Sequence, residues 1–255
     1  MKLTILGSGT STGVPQLRWD GDVCTSSDPR DKRLRTSALV EFKGKNILID
    51  CGPDFRQQML RLGSPALDAL FVTHHHYDHL GGIDDLRPYC MDNPSGFPIF
   101  CREDVADIIH DRMSYCFGEK HYPGSPRLDL NVIDDKSFSP FAGIDITPLP
   151  VMHTPSLPIT GFKIGPLCYI TDCKIMPDKT LRLIEGCDTL VINALRHEAH
   201  PSHMNLADAL DVITMTRPKR AILTHFAHQI GRYADVQPTL PANVTMAYDG
   251  LTIDI

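Results

Sequence analysis

Four of the twelve histidines of the chain lie within six residues, His74-His75-His76-Tyr77-Asp78-His79. The cluster directly follows an apolar run that predicts a buried strand, Ala69-Leu70-Phe71-Val72-Thr73. Because residues two apart in an extended backbone point to the same side, His74 and His76 can share one metal ion while His75 faces away. Asp78 and His79 then lie where the chain turns and can meet a second ion. The pattern therefore predicts a metal site at the end of a strand.

The rest of the sequence is that of an ordinary globular protein. It has 255 residues, of which 42% are hydrophobic and 22% charged, so we expect one domain over residues 1–255. The formal net charge of −6 disfavours a large nucleic acid as partner, because phosphate neutralisation usually requires a basic face. We find no signal-peptide core and no apolar window long enough to span a membrane, and expect a cytoplasmic location. The eight cysteines form no CxxC pair and are expected to be buried, reduced thiols.

Short apolar runs typical of strands recur along the chain, and helical patterns separate only some of them. The predicted strands lie at residues 3–6, 38–42, 47–49, 70–73, 99–101, 144–147, 168–171, 190–192, 221–224 and 244–247. Helices are predicted over 102–116, from Pro177 to near Gly186, and after Asn205 as a weak N-cap. Gly81-Gly82 predict a sharp turn behind the histidine cluster. This arrangement favours packed sheets covered by helices over a regular βαβ barrel.

Two stretches have no regular pattern, residues 7–35 and 115–129, and long loops of this kind are usually functional. Gly7-x-Gly9 imitates half of a dinucleotide-binding fingerprint, but no helical pattern follows it and Pro15 interrupts the segment. We interpret it as a tight turn whose backbone approaches the metal site. The residues that select the substrate are expected in these two stretches.

The spacing His74-x-His76-x-Asp78-His79 behind a hydrophobic strand resembles the signature of the metallo-β-lactamase superfamily. The resemblance implies an α/β fold of the α+β type, an αββα sandwich with one or two metal ions at the edges of its sheets. It also implies three further ligands at strand ends, a histidine, an aspartate and a histidine in that order. The sequence offers His153, Asp172 and His225, each at the exit of an apolar run.

The resemblance implies a role for each candidate ligand. His74, His76 and His153 would hold the first ion, Asp78, His79 and His225 the second, and Asp172 would bridge the two. Seven candidates exceed what one ion needs once a water position is left open, which supports two ions. Imidazoles and carboxylates without a thiolate are compatible with zinc, manganese or iron. Asp78 is counted among the catalytic residues as well, and Asp50 matches a position that orients the ligand loop by hydrogen bonding.

Within the superfamily, nearly the whole chain is similar to the PhnP-like phosphodiesterases. Three segments carry this similarity: Gly7-Ser8-Gly9-Thr10-Ser11-Thr12-Gly13-Val14-Pro15, Leu223-Thr224-His225-Phe226-Ala227-His228-Gln229 and the turn Asp249-Gly250. The similarity implies that His203 is the general acid, with His197 and His200 as alternatives. Asn205 stands where the group commonly has an aspartate, which leaves the orientation of His203 open. A homodimer is suggested by the resemblance alone.

A second departure concerns a structural zinc site that PhnP-like relatives often build from three cysteines and a histidine. The corresponding positions here are Asp22, Cys24 and Ser27, with His228 retained. Without the second and third thiolates the site is incomplete, so its occurrence stays open.

These observations favour a hydrolase with two divalent ions that cleaves small or cyclic phosphodiesters with a metal-bridging hydroxide, while His203 protonates the leaving group. One alternative is a metallo-endonuclease of the tRNA 3′-processing type, against which the acidic total and the lack of a basic Gly/Pro-rich insertion count. The other is a hydrolase of carboxyl esters, thioesters or lactams on the same fold. The expected partner is a small phosphodiester; nucleic acid and membranes are not expected.

Overall fold

The computed structural model describes residues 1–91, 95–117 and 124–255. Its strands form two seven-stranded sheets. The first sheet contains β1 (Lys2–Gly7), β2 (Ser37–Phe42), β3 (Lys45–Ile49), β4 (Ala69–Phe71), β5 (Phe97–Cys101), β6 (Leu128–Val132) and β14 (Thr252–Asp254), in the spatial order β14-β1-β2-β3-β4-β5-β6. The second sheet contains β7 (Phe138–Phe141), β8 (Ile144–Thr154), β9 (Leu157–Ile164), β10 (Leu167–Tyr169), β11 (Thr189–Asn193), β12 (Arg220–Thr224) and β13 (Val244–Met246), in the order β13-β12-β11-β10-β9-β8-β7.

Both sheets are mixed, and their parallel strands carry the segments that lead to the site. Strands β3 to β6 pair in parallel in the first sheet, and β10 to β13 pair in parallel in the second. The remaining pairs are antiparallel, including the hairpin of β2 and β3. Its turn residues Lys43 and Gly44 both have a positive φ, as a two-residue type I′ turn requires.

Alternation along the strands assigns each residue to one of two cores. In β3, Ile47 and Ile49 face the core between the sheets, and Leu48 faces the outer side. The same inner core receives Phe71 from the first sheet and Phe162 from the second, with ring centroids 5.1 Å apart. The two sheets therefore pack face to face as layers of a sandwich.

Helices cover the outer faces of both sheets. Their bounds are α1 (Asp22–Thr25), α2 (Phe55–Arg61), α3 (Tyr77–Leu80), α4 (Arg87–Cys90), α5 (Glu103–Arg112), α6 (Asp178–Ile184), α7 (Leu206–Thr216) and α8 (Tyr233–Val236). Short 3₁₀ turns lie at Pro29–Asp31, Ile83–Leu86, Ser114–Cys116, His228–Ile230 and Gln237–Thr239. Side chains of α2 and α5 pack on the outer side of the first sheet, and those of α6 and α7 pack against the second. The result is the predicted αββα sandwich.

The structure extends the sequence prediction in several places. Strand β8 continues to Thr154, well past the predicted end at residue 147, and β6, β7, β9 and β14 were not predicted. The predicted cap Asn205 is confirmed, because its side chain accepts a hydrogen bond from the Asp208 amide in a full capping box. Within the second irregular stretch, residues 118–123 lie outside the described part of the chain.

Two further expectations concern the chain as a whole. All eight cysteines are buried and free, as predicted. None of the helices in the described ranges combines the length and the apolar character needed to cross a bilayer.

Candidate metal centre

The seven predicted ligands come from four segments that meet in space. His74, His76, Asp78 and His79 follow β4, His153 lies near the end of β8, Asp172 follows β10, and His225 directly follows β12. Two groups of side chains result, in each of which the ligand atoms lie within 4.8 Å of one another. We call His74, His76 and His153 the first subsite, and Asp78, His79, Asp172 and His225 the second subsite.

Asp172 lies at the centre of this arrangement. Its Oδ1 is 3.1 Å from Nε2 of His225, and its Oδ2 is 3.2 Å from Nε2 of His79. Asp172 also joins His153 and His203 in a third group of potential ligands with the same close spacing. A carboxylate in this position faces both subsites, as a bridging ligand must.

Three side chains of the site leave the backbone at left-handed residues. Asp50, Asp172 and His225 have φ values of 61°, 55° and 60°, although none of them is a glycine. Such conformations cost about 1–3 kcal/mol each and persist where the surrounding structure enforces them. All three residues lie just behind a strand, and the sharp change of direction turns their side chains into the site.

The hydrogen-bond partners of His79 and His153 fix which ring nitrogen carries the proton. Nδ1 of His79 lies 2.7 Å from Oδ2 of Asp50, and Nδ1 of His153 lies 2.7 Å from the backbone oxygen of Asp172. Both partners accept hydrogen bonds, so each Nδ1 donates. Nε2 of each ring then faces the site, where it can bind a metal ion once it carries no proton.

Two threonines fix the protonated ring nitrogen of His74 and His225. The Thr73 hydroxyl donates to Asp50 and the Thr36 hydroxyl donates to the carbonyl of Gly9, so each hydroxyl oxygen is left to accept a hydrogen bond. Nδ1 of His74 lies 3.0 Å from Thr73 Oγ1, and Nδ1 of His225 lies 3.1 Å from Thr36 Oγ1. Both imidazoles therefore donate from Nδ1 and turn a bare Nε2 to the site.

The Nε2 atoms of the imidazoles converge with the carboxylates of Asp78 and Asp172. Nε2 of His79 lies 3.1 Å from Oδ2 of Asp78 and 3.2 Å from Oδ2 of Asp172. Nε2 of His74 is buried without a hydrogen-bond partner. Carboxylates this close together in a dry site need positive charge among them, which a metal ion supplies when bound and a proton on His79 supplies in the metal-free protein. The His/Asp cluster therefore fits a metal site, and its N and O donors suit a divalent ion.

Asp50 makes the hydrogen bonds to the ligand loop that the superfamily resemblance implies. Its carboxylate accepts from the amide and the hydroxyl of Thr73 and from His79, and it is fully buried. Through Thr73 it also orients His74. One carboxylate thus fixes an imidazole in each subsite.

The sequence did not identify Asn193 or the role of the glycines. The buried Asn193 side chain accepts from the amide of Cys173 and donates to its carbonyl, which holds the segment that carries Asp172. The turn expected at Gly81-Gly82 is present between α3 and the following 3₁₀ turn, but it does not require glycine conformations, because both residues have negative φ values. Gly82 instead permits close packing, since a Cβ atom there would lie 2.1 Å from the carbonyl oxygen of Gly52.

Burial and charge shift the pKa values of the site in opposite directions. Burial lowers the pKa of His74, His76 and His225 and keeps these imidazoles neutral. Burial also opposes the charge on His79, but the carboxylates of Asp78, Asp172 and Asp50 outweigh it and raise its pKa well above the ordinary value.

Of the three candidate general acids, the structure brings His203 into the site. Nδ1 of His203 is 3.6 Å from Oδ1 of Asp172, and its ring centroid is 4.7 Å from that of His153. His200 lies behind it, with ring centroids 5.1 Å apart, while Nε2 of His197 contacts the carbonyl of Ile230. Asn205 serves as the helix cap and donates to the carbonyl of His197.

The residual structural zinc site does not form among the described residues. Asp22 is exposed on 92% of its side chain and lies 3.7 Å from Arg232. Cys24 and His228 are buried, but they belong to none of the groups whose ligand atoms lie close together. The His228 ring packs against Trp19 instead, with centroids 4.6 Å apart.

Comparison with known proteins identifies the family. A family model described as a β-lactamase superfamily domain matches residues 45–226. With the αββα fold and the His/Asp cluster, this match shows that the chain belongs to the metallo-β-lactamase superfamily of metal-dependent hydrolases.

A crystal structure described as a new diphosphatase from the PhnP family matches 100% of this chain and 97% of its own, with a TM-score of 0.92 and 34% identity. The chain is therefore PhnP-like, as its sequence segments predicted. The zinc-bound PqqB of Methylobacterium extorquens shares the fold, at 19% identity and a TM-score of 0.79, over 100% of both chains.

A curated relative from Porphyromonas gingivalis carries the name octanoyltransferase. It is 42% identical over 255 residues, which make up 98% of this chain but 51% of the relative. The chain thus spans about half the length of this relative.

Proposed function

We propose that the chain is a phosphodiesterase that uses two divalent ions, one in each subsite, to hydrolyse small or cyclic phosphodiesters. The observation that carries this proposal is the convergence of seven N and O donors, with Asp172 between the two subsites and His203 beside it. The ions would be zinc, manganese or iron, since no thiolate belongs to either group. Residues 1–255 would form one hydrolase domain.

Bound divalent ions supply a hydroxide near neutral pH and neutralise charge on the phosphate. The residues of the chain must do the rest. Asp50, Thr73 and Thr36 hold the imidazoles in the tautomer that binds ions, which keeps the site preorganised. Left-handed Asp172 and His225 fix the direction of two further ligands.

His203 is proposed to give its proton to the leaving oxygen. Burial lowers the pKa of His203 to about 3, so this imidazole is neutral at pH 7 in the metal-free protein. A phosphodiester brings a negative charge beside it, and an adjacent anion favours the charged form. The substrate therefore raises the pKa of His203 in the complex and allows it to act as the acid. A positioned imidazole of this kind contributes about 10²–10⁴-fold to the rate.

The net charge of the chain favours a small substrate over a polynucleotide. With a formal net charge of −6, the chain lacks the excess of positive charge that binding to a polynucleotide backbone usually needs. A small phosphodiester needs only the ions and a few local contacts.

A substrate panel tests the proposal on the metal-analysed protein. It contains bis-nitrophenyl phosphate, nucleoside and sugar cyclic phosphates, a nitrophenyl carboxyl ester and a tRNA with a 3′ extension. We expect turnover of the small phosphodiesters. His203→Ala should lower kcat by about 10²–10⁴-fold with unchanged metal content. His197→Ala, in the same segment but turned to Ile230, should remain close to wild type.

Faster turnover of the carboxyl ester than of every phosphodiester would reject the phosphodiesterase. Cleavage of the tRNA alone would replace the proposed substrate class with RNA. Unchanged kcat in His203→Ala would remove the acid role.

A further inference from the structure

The Gly7-x-Gly9 turn lies against the residue that follows His225. The amide of Phe226 donates to the carbonyl of Ser8, and the amide of Thr10 donates to the carbonyl of Phe226. Two short parallel bridges, Gly9 with Phe226 and Gly9 with Arg35, complete the contact. The turn is thereby locked in register with the second subsite.

Asp249 fixes the same turn from the other side. Its carboxylate, on a side chain that is 3% exposed, accepts hydrogen bonds from the amide and the hydroxyl of Ser8 and from the amide of Leu34. The glycines allow the approach, because a Cβ atom on Gly7 would lie 2.0 Å from the carbonyl oxygen of Arg35. A Cβ atom on Gly9 would lie 2.7 Å from that of Arg33. The motif therefore serves to place the residue that follows it.

That residue is Thr10, and its hydroxyl faces the ligand nitrogen of His225. Thr10 Oγ1 lies 3.1 Å from Nε2 of His225, the same distance as Oδ1 of Asp172. Since Nδ1 of His225 donates to Thr36, Nε2 carries the lone pair and accepts a hydrogen bond from the Thr10 hydroxyl in the metal-free protein. Oδ1 of Asp172 faces the same nitrogen. Atoms bound to one tetrahedral ion at about 2.0–2.2 Å lie about 3.3–3.6 Å apart. The Thr10 oxygen, like Oδ1 of Asp172, lies a few tenths of an ångström closer than this to Nε2 of His225, so a small outward shift lets it share an ion with that nitrogen.

We propose that Thr10 is a further residue of the second subsite, where its hydroxyl adds a neutral oxygen donor to Asp78, His79, Asp172 and His225. This inference rests on the proposed function, because it needs an ion in that subsite. Oxygen donors suit manganese better than zinc, for which imidazole is the better partner. Thr10 therefore strengthens the second subsite for manganese more than for zinc.

Calorimetric titration of the chelator-stripped full chain with MnCl₂ and with ZnCl₂ tests the proposal without an activity assay. Thr10→Val removes the hydroxyl at nearly constant volume, and Thr10→Ser keeps it. We expect Thr10→Val to weaken one of the two Mn²⁺ binding events by about 10–100-fold, with a smaller loss for Zn²⁺. Thr10→Ser should bind as wild type does.

Thr12→Val is the matched control in the same loop. Thr12 is exposed and its hydroxyl contacts the carbonyl of Gly13, so both ions should bind unchanged. Thermal unfolding of the metal-free variants checks their folding. If the valine variant does not fold, Thr10→Ala compared with Thr10→Ser makes the same comparison without added bulk.

Wild-type affinity for both ions in Thr10→Val overturns the proposal. Equal losses in Thr10→Val and Thr10→Ser also overturn it, because packing rather than the hydroxyl would then be responsible. A wild-type protein that binds no ion at all refutes the proposed function itself, an outcome distinct from either of these.

Discussion

The two subsites lie side by side but differ in charge and in exposure. The first subsite consists of three imidazoles, of which His76 is half-buried. The second subsite is buried throughout and contains the carboxylates of Asp78 and Asp172. A cation gains more from two carboxylates in a buried, low-dielectric setting than from neutral imidazoles near water. We therefore expect the second subsite to hold its ion more tightly, and the first to face the substrate.

The supporting hydrogen bonds show how the two subsites are nevertheless coupled. Asp50 accepts a hydrogen bond directly from His79 of the second subsite. It also accepts one from the Thr73 hydroxyl, which in turn accepts a hydrogen bond from His74 of the first subsite. Asp172 contacts the second subsite with both oxygens, and its backbone carbonyl accepts from His153 of the first. The difference between the subsites thus lies in their ligands, while their geometry depends on shared residues.

The largest effect is expected from Asp172→Asn. The amide keeps the shape of the side chain but removes the negative charge that faces both subsites, so both ions should be lost. Losing several kcal/mol of transition-state stabilisation lowers turnover by roughly 10³-fold or more. Metal analysis and kcat/KM on bis-nitrophenyl phosphate measure this. Asp188→Asn, at an exposed ion pair with Lys219, is the control and should leave both unchanged. Retention of both ions in Asp172→Asn would contradict a bridging role.

His76→Ala and His79→Ala separate the two subsites. His76→Ala removes one imidazole of the more open subsite, and we expect the protein to retain about one ion per chain after dialysis. His79→Ala removes one imidazole of the buried second subsite, and we expect the tightly held ion to be lost. Metal content and the calorimetric affinity of each remaining ion are the measurements. Loss of the same ion from both variants would show that the subsites are not independent.

The smallest expected effect is the release of a proton when an ion binds to the second subsite. The carboxylates around His79 raise its pKa well above the ordinary value, so in the metal-free protein a proton stays on this imidazole at neutral pH. An ion entering the second subsite must displace that proton, and its affinity should rise by about tenfold per pH unit below the pKa of His79. Burial lowers the pKa of His74 and His76, so neither has a proton to release at neutral pH.

Titrations between pH 7 and pH 8 in two buffers of different ionisation enthalpy measure this proton release. The tighter binding event should release about one proton per ion. Equal proton release at both events would remove the distinction between the subsites.

The sequence was sufficient for the fold class and for the ligands, because both are expressed locally. The spacing His74-x-His76-x-Asp78-His79 belongs to a few adjacent residues. The resemblance that it carries implied three further ligands, which were assigned to His153, Asp172 and His225 at the exits of apolar runs. All seven meet in the structure. Strands such as β7 and β14 were missed because their residues are exposed or only partly buried, so they contain few of the apolar residues by which a strand is recognised.

What the sequence by itself determined, then, is the chemistry of the donors and the order in which strands deliver them. Only the tertiary structure decided which nitrogen of each imidazole faces the ion and which hydroxyls stand beside it. Thr36 meets His225 across 189 residues and Asp249 holds Ser8 across 241. Such partners are chosen by the packing of distant segments, since a hydrogen bond depends on position in space and leaves no regular spacing in the chain.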